Sequence, residues 1–193
     1  MGWLRNTSER FGAPAIALHW AMALLLVGLV ASGLVMSRMP DVGFDTRKIV
    51  LILYHKQAGV LALALALFRL AWRVGNALPA LVATLPRWQQ VTARLVHLCF
   101  YALMFVLPVT GWLMSSAGGF PVSFLGLFEL PDLIAPSDYR FRGLIEIHQW
   151  LGYALLALTG VHAGAALRHH FLLGDATLRK MLPGGSSQPA AHY

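Results

Sequence analysis

The feature that most constrains this chain is the length of its uncharged stretches. Phe11 to Ser37 is 27 residues without Asp, Glu, Lys or Arg, Leu95 to Phe128 is 34, and Ile147 to Leu167 is 21. Each is long enough to cross a hydrocarbon core about 30 Å thick, which takes roughly 20 residues of helix. A further stretch, Ile49 to Phe68, is apolar except for His55 and Lys56. Its run LALALALF reads as lipid-facing helix, because a segment inside a bilayer must satisfy its own backbone. The long third run must end before Ala117-Gly118-Gly119-Phe120-Pro121, which reads as a loop. Four helices are expected, at about 12–36, 47–72, 90–114 and 143–168, within one transmembrane domain over residues 1–182. The first is much longer than the roughly 7–15 apolar residues of a cleaved signal peptide, so it reads as a retained helix. The Pro/Gly/Ser-rich tail 183–193 is expected to be disordered. The fold class is all-α, an integral membrane four-helix bundle.

Charge supports this reading and orients it. Only 12% of the 193 residues are charged and 58% are hydrophobic, against roughly 25% charged in soluble domains, which excludes a soluble globular enzyme. The net charge of +7 would point to nucleic acid in a soluble protein, but here it reads as the basic excess of cytoplasmic loops, with no nucleic-acid partner. The N-terminus, the 69–94 connection and the tail hold Arg5, Arg10, Arg69, Arg73, Arg87, Arg94, Arg168, Arg179 and Lys180 against only Glu9 and Asp175. The opposite side holds Arg38, Arg47, Lys48, Lys56, Arg140 and Arg142, balanced by Asp41, Asp45, Glu129, Asp132, Asp138 and Glu146. Both termini are therefore expected in the cytoplasm. The one cysteine, Cys99, leaves no disulfide framework, CxxC site or CxxCH for covalent haem, and reads as an inert buried thiol.

Five of the eight histidines fall inside the expected spans: His19, His55, His97, His148 and His162. An ionisable group in a membrane is costly and marks a functional site by default. A single such histidine is equally well a polar group bonded to a neighbouring helix, but five in one small membrane protein are not explained that way. By depth, His19, His97 and His162 share a level near the cytoplasm, and His55 and His148 share the outer level. His148 and His162 are 14 residues apart, so they lie on one helix face about 21 Å apart along the axis. Two stacked sites, each with two imidazoles, are what two bis-histidine haems need. Zinc sites gather three or four ligands and usually include Cys or carboxylate, and no acid stands beside the inner histidines. Copper lacks a nearby thiolate, and a proton relay lacks Asp or Glu in the first three spans. A low-spin iron with both axial positions filled suits electron transfer. Without CxxCH, the haem is of the non-covalent b type.

At these residues, from ALHW around His19 through LYHKQAGV around His55 to IHQWLGYALLALTGVHAGAALRHHFLLGDATLRKMLP over 147–183, the chain resembles the bacterial cytochrome b561 family, in particular its branch of di-haem superoxide oxidases. The four-helix design with two ligands on the last helix also looks like the cytochrome b subunits of formate dehydrogenases and nickel-iron hydrogenases. The resemblance implies two haem b: His19 and His162 holding the inner one, His55 and His148 the outer, with His97 spare. Depth alone leaves His97 and His162 equal as partners of His19. The resemblance further implies a multi-pass protein of the bacterial inner membrane that oxidises superoxide on the periplasmic side and reduces ubiquinone. The alternative is a cytochrome b anchor subunit that links a periplasmic dehydrogenase or hydrogenase to the quinone pool; a haem-free transporter is a third class.

The flanking residues carry secondary expectations. Lys56, a lysine inside a span, is the candidate for steering an anionic substrate to the outer haem, ahead of Arg38, Lys48, Arg140 and Arg142. Because that side is neutral overall, the attraction must be local. Arg69, Arg73 and Arg94 either meet the propionates of the inner haem or snorkel to the surface. His169 and His170 read as interfacial residues or a quinone contact, and Trp20, Trp112 and Trp150 as interfacial anchors. Gly28, Gly33, Gly59, Gly111, Gly152 and Gly160 either admit a porphyrin or let helices approach.

Overall fold

A computed structural model describes residues 4–8, 10–40, 45–80 and 85–184. Four long helices dominate: α1 Ala13–Arg38, α2 Thr46–Val74, α3 Arg87–Ala117 and α4 Asp138–Phe171, followed by a short 3₁₀ turn at Arg179–Met181. All four are long and apolar enough to cross a membrane. The chain is thus an all-α membrane protein. Glu9, Asp41 and the expected disordered tail from residue 185 onward lie outside the described residues.

Local chemistry sets the helix ends. Pro14 stands in the first turn of α1, where a missing N–H costs nothing. Asp45 caps α2, its carboxylate accepting from the amide of Arg47 at 2.9 Å. α3 runs three residues past the expected end near 114, because the stop is supplied by Gly118 and Gly119 themselves. Gly119 takes φ +68, and the amides of Gly118, Gly119 and Phe120 close on the carbonyls of Met114, Ser116 and Ser115. α4 begins at Asp138 rather than near 143: Ser137 caps it, accepting from the Arg140 amide, and Asp138 sits favourably in its first turn. The charged DYRFR run is therefore helix that continues the apolar span rather than loop.

Between α3 and α4 lies a hairpin not expected from the sequence, β1 Val122–Phe124 paired antiparallel with β2 Phe128–Leu130. Its turn places Leu125 and Gly126 at positive φ, with the Leu127 amide on the Phe124 carbonyl.

The chain divides into two compact units, each drawing a segment from all four helices. One comprises Met1–Ala23, Leu67–Phe100 and Ala157–Tyr193. Among its described residues Met22 and Ala176 are the buried apolar side chains, and its connecting segments are held by the Trp20 indole on the Met181 carbonyl at 2.7 Å and Lys180 on the Ala80 carbonyl at 2.8 Å. The other comprises Leu24–Ala66 and Tyr101–Leu156. There Ala62, Ala66, Met104, Leu107, Ala117, Val122 and Leu155 are buried with Thr110, Ser115 and Ser116. The segment following the hairpin is fastened to α3 by the Trp112 indole on the Pro131 carbonyl and by the Ser116 hydroxyl accepting from the Leu133 amide. Along the helices large apolar side chains point outward: Leu24 is 72% exposed and Val161 61%. A bilayer, as apolar as those side chains, is the solvent that accepts them.

Candidate functional site: paired intramembrane histidines

In the unit Leu24–Ala66 with Tyr101–Leu156, His55 on α2 and His148 on α4 face each other with ring centres 6.1 Å apart. Each ring is held by its Nδ1. The Ser32 hydroxyl stands 2.9 Å from His55 Nδ1 and bonds the Leu29 carbonyl, also at 2.9 Å. The Thr110 hydroxyl stands 3.0 Å from His148 Nδ1 and bonds the Leu107 carbonyl at 2.8 Å. A hydroxyl has one proton, and here it goes to a backbone oxygen, so the ring must be the donor. Both rings therefore carry hydrogen on Nδ1 and present a bare lone pair at Nε2, the form that binds metals.

Glycine makes room for one of these rings. A Cβ on Gly111 would lie 3.2 Å from Cε1 of His148, whereas one on Gly33 would lie 3.7 Å from Cε1 of His55. His148 is thus seated flush on α3 because residue 111 has no side chain. A cavity of about 260 Å³ borders His55, lined by Leu24, Gly28, Leu29, Ser32, Leu51 and Tyr54 among others. Around Gly28, Gly59 and Gly152, where helical glycine is otherwise costly, no protein atom stands where a Cβ would reach.

In the other unit, His19 on α1 and His162 on α4 have ring centres 6.3 Å apart. His97 on α3 comes within 5.6 Å of His162, and Phe100 within 5.3 Å. Arg69 on α2 places Nη2 3.1 Å from His19 Nδ1 and Nη1 4.0 Å from the Met22 sulfur. A guanidinium only donates, so this Nδ1 offers a lone pair. Iron binding through Nε2 with the usual Nδ1–H tautomer requires Arg69 to give up this bond.

These spacings can be tested against iron. Two imidazoles trans on one metal, each nitrogen about 2.0 Å away and each ring centre about 1.1 Å behind its nitrogen, place their centres about 6.2 Å apart. The pairs His55 with His148 and His19 with His162 lie near this spacing, and His97 with His162 is closer, at 5.6 Å. Among the described residues no three metal-binding side chains converge. Two nitrogens and nothing more suit a metal that arrives with its equatorial ligands already in place, as in a porphyrin.

The remaining expected residues are placed as follows. Lys56, half-buried, donates from Nζ to the Pro121 carbonyl at 2.7 Å at the start of the hairpin. Lys48 and Arg140 likewise donate to backbone carbonyls, of Met39 and Ala135; Arg38 and Arg142 are exposed. Cys99 is exposed rather than buried. His169 pairs through Nδ1 with the Asp175 carboxylate, which also accepts from the Thr177 amide at 2.8 Å. Burial works to raise the Asp175 carboxyl, but hydrogen bonds from Thr177 and the His169 contact outweigh it and hold it below the usual carboxylate range. His170 Nδ1 and the Trp72 indole N–H are buried without a partner. Ser32, Thr110 and the role of Gly111 beside His148 were not anticipated. Their sole sequence signal is a hydroxyl or glycine within a span, which Thr159 and Gly164 share.

A set of spanning helices with paired, half-buried imidazoles is the arrangement of a membrane protein that carries electrons on non-covalent haem. The chain belongs to the prokaryotic cytochrome b561 family, whose family model matches residues 10–184. It is 32% identical over 182 residues to "Cytochrome b561 homolog 2" of Escherichia coli K12, covering 94% of this chain and 96% of that protein. It is 33% identical over 179 residues to "Cytochrome b561 homolog 1" of the same organism, covering 91% and 98%. A more distant relative, 25% identical over 177 residues (91% and 97% covered), is the "Probable superoxide oxidase CybB" of Yersinia pestis. Membership makes this a multi-pass bacterial membrane electron-transfer protein that binds haem b.

Proposed function

We propose that the chain holds two haem b, one between His19 and His162 and one between His55 and His148, and that it oxidises superoxide and reduces ubiquinone. The observation that carries the reading is the geometry of the two pairs, at 6.3 and 6.1 Å. A bound bis-histidine haem b supplies one-electron transfer with no open coordination position for oxygen. The balance is simple: two superoxide anions give two oxygen molecules and two electrons, and these with two protons convert ubiquinone to ubiquinol.

The chain's own residues do the rest. Ser32 and Thr110 orient His55 and His148. Lys56, next in sequence to His55, keeps two of its three ammonium hydrogens beyond the one given to Pro121 and supplies a local cation for an anionic donor. Arg69, released from His19, pairs with an anion such as a haem propionate. The charge distribution of the sequence supports cytoplasmic termini in the bacterial inner membrane, with the His55 and His148 pair toward the periplasm. The family relative named a probable superoxide oxidase supports the choice of donor.

One observation favours a second reading, in which the protein anchors a periplasmic redox partner. The hairpin loop carries exposed Leu125, Leu127 and Phe128, an apolar tip suited to docking. One experiment separates the two. Oxidised, detergent-purified protein is given enzymatically generated superoxide and a ubiquinone analogue. Dismutase-sensitive haem reduction followed by quinol supports the superoxide reading; two haems that ignore superoxide yet accept electrons from quinol support the anchor.

A further inference from the structure

The two histidine pairs are held in chemically different ways. At His55 and His148, each Nδ1 has a hydroxyl from a neighbouring helix, and each hydroxyl passes its proton to a carbonyl three residues back in its own helix. The arrangement is the same on both rings although it is built from different helices, α1 facing α2 and α3 facing α4. At His19 the Nδ1 instead meets a guanidinium. Serine or threonine bonding back to its own helix is commonplace, and by itself says nothing of function. What gives it meaning here is that each hydroxyl, its proton spent on a carbonyl, turns an acceptor lone pair to a histidine Nδ1.

We propose that Ser32 and Thr110 are positioning residues that lock His55 and His148 in the Nδ1–H tautomer, strengthen both as electron donors to iron, and so hold the reduction potential of the haem between them low. The inference rests on these two histidines being axial ligands. An imidazole that donates its Nδ1–H becomes more basic at Nε2. A more basic pair stabilises ferric iron over ferrous. A haem kept at low potential passes its electron onward readily, which suits the site at which electrons enter. His19 meets a guanidinium rather than a hydroxyl, so the two pairs differ in their second contacts, and the shift is expected at the haem between His55 and His148.

The test is a spectroelectrochemical titration of the purified, haem-loaded protein, with the ferric low-spin electron paramagnetic resonance spectrum recorded alongside. Ser32→Ala and Thr110→Val each remove a hydroxyl; Ser32→Thr and Thr110→Ser each restore one. One midpoint is expected to move to more positive potential in Ser32→Ala and Thr110→Val, further in the double variant, with the second midpoint fixed. The hydroxyl-bearing variants are expected to keep both midpoints at wild-type values. Loss of one haem from the hydroxyl-free variants, with retention in Ser32→Thr and Thr110→Ser, equally supports the lock. Two haems with both midpoints unchanged in the double variant overturn it, as does an equal shift in the hydroxyl-bearing variants, which makes the effect one of packing. His148→Ala, measured in parallel, tests the underlying ligation: retention of both haems there refutes the ligand assignment, whatever the hydroxyl variants show.

Discussion

Replacing Gly111 by alanine tests how closely the histidine geometry is set by the helix beside it. A methyl at 111 would stand 3.2 Å from Cε1 and 3.6 Å from Nδ1 of His148. Carbon atoms settle at about 3.5–4.0 Å, so the ring must retreat by at least about 0.3 Å. Metal–ligand bonds tolerate only about 0.2 Å, and the 3.0 Å bond from His148 to Thr110 is disturbed at the same time. Perturbing the outer support of a ligand typically costs about 10–100-fold in metal-site affinity, which is the expected loss for the haem between His55 and His148. Gly33→Ala is the matched control: its methyl would sit 3.7 Å from Cε1 of His55, an ordinary contact. Both changes gain the roughly 1 kcal/mol by which alanine exceeds glycine in a helix, so only the contact distinguishes them. The assay is haem per polypeptide, by pyridine haemochrome, during stepwise competition with a haem acceptor. Gly33→Ala is expected to hold both haems as wild type does, and Gly111→Ala to release one early. Equal retention by the two variants, or earlier loss from Gly33→Ala, would refute the reasoning.

Two further outcomes follow from the same geometry. Lys56→Gln is expected to slow superoxide-driven haem reduction severalfold with both haems bound, and to abolish most of the decline of rate with ionic strength that a local cation produces; stopped-flow traces at two salt concentrations decide it. Asp175 titrates below its ordinary range in the folded chain, so the folded state binds this proton less readily than the unfolded one. The clasp at the end of α4 then contributes fully at neutral pH and weakens as pH falls through the acid carboxylate range. The protection factor of the Thr177 amide, its exchange relative to the intrinsic rate at each pH, is expected to fall on acidification, and Asp175→Asn to lower it at neutral pH and remove that dependence.

Much of the fold was legible because a bilayer leaves a chain few choices. Three uncharged runs of 21 residues or more each supply most of a helix, and the fourth helix lies over the apolar stretch that carries Lys56. Their ends were read less well. The start of α4 was hidden by Asp138, Arg140 and Arg142, charged residues that mimic a loop while Ser137 caps a helix through them. The hairpin was hidden because VSFLGLFEL has no alternating polar face, and its turn seats Leu125 at positive φ, a conformation no propensity assigns to leucine. The histidines stood out since intramembrane imidazoles are expensive. Depth set three of them at one level without ranking His97 against His162, and the structure places the His162 ring 6.3 Å from that of His19 and 5.6 Å from that of His97. Ser32 and Thr110 were silent for a different reason: a hydroxyl gains meaning only from what a different helix brings to it. Arg69 was read, with Arg73 and Arg94, as either a propionate partner or a snorkelling residue, and its guanidinium meets His19 itself.

The central claim is that two pairs of histidines, and not His97, hold two haems. Haem per polypeptide, with the low-spin spectrum of the ferric protein, measured on wild type and on five single alanine variants, tests it most directly. Two haems are expected in wild type and in His97→Ala, and one in each of His19→Ala, His55→Ala, His148→Ala and His162→Ala. A wild-type protein that saturates at one haem, or a His97→Ala variant that loses one while His162→Ala keeps two, would contradict it.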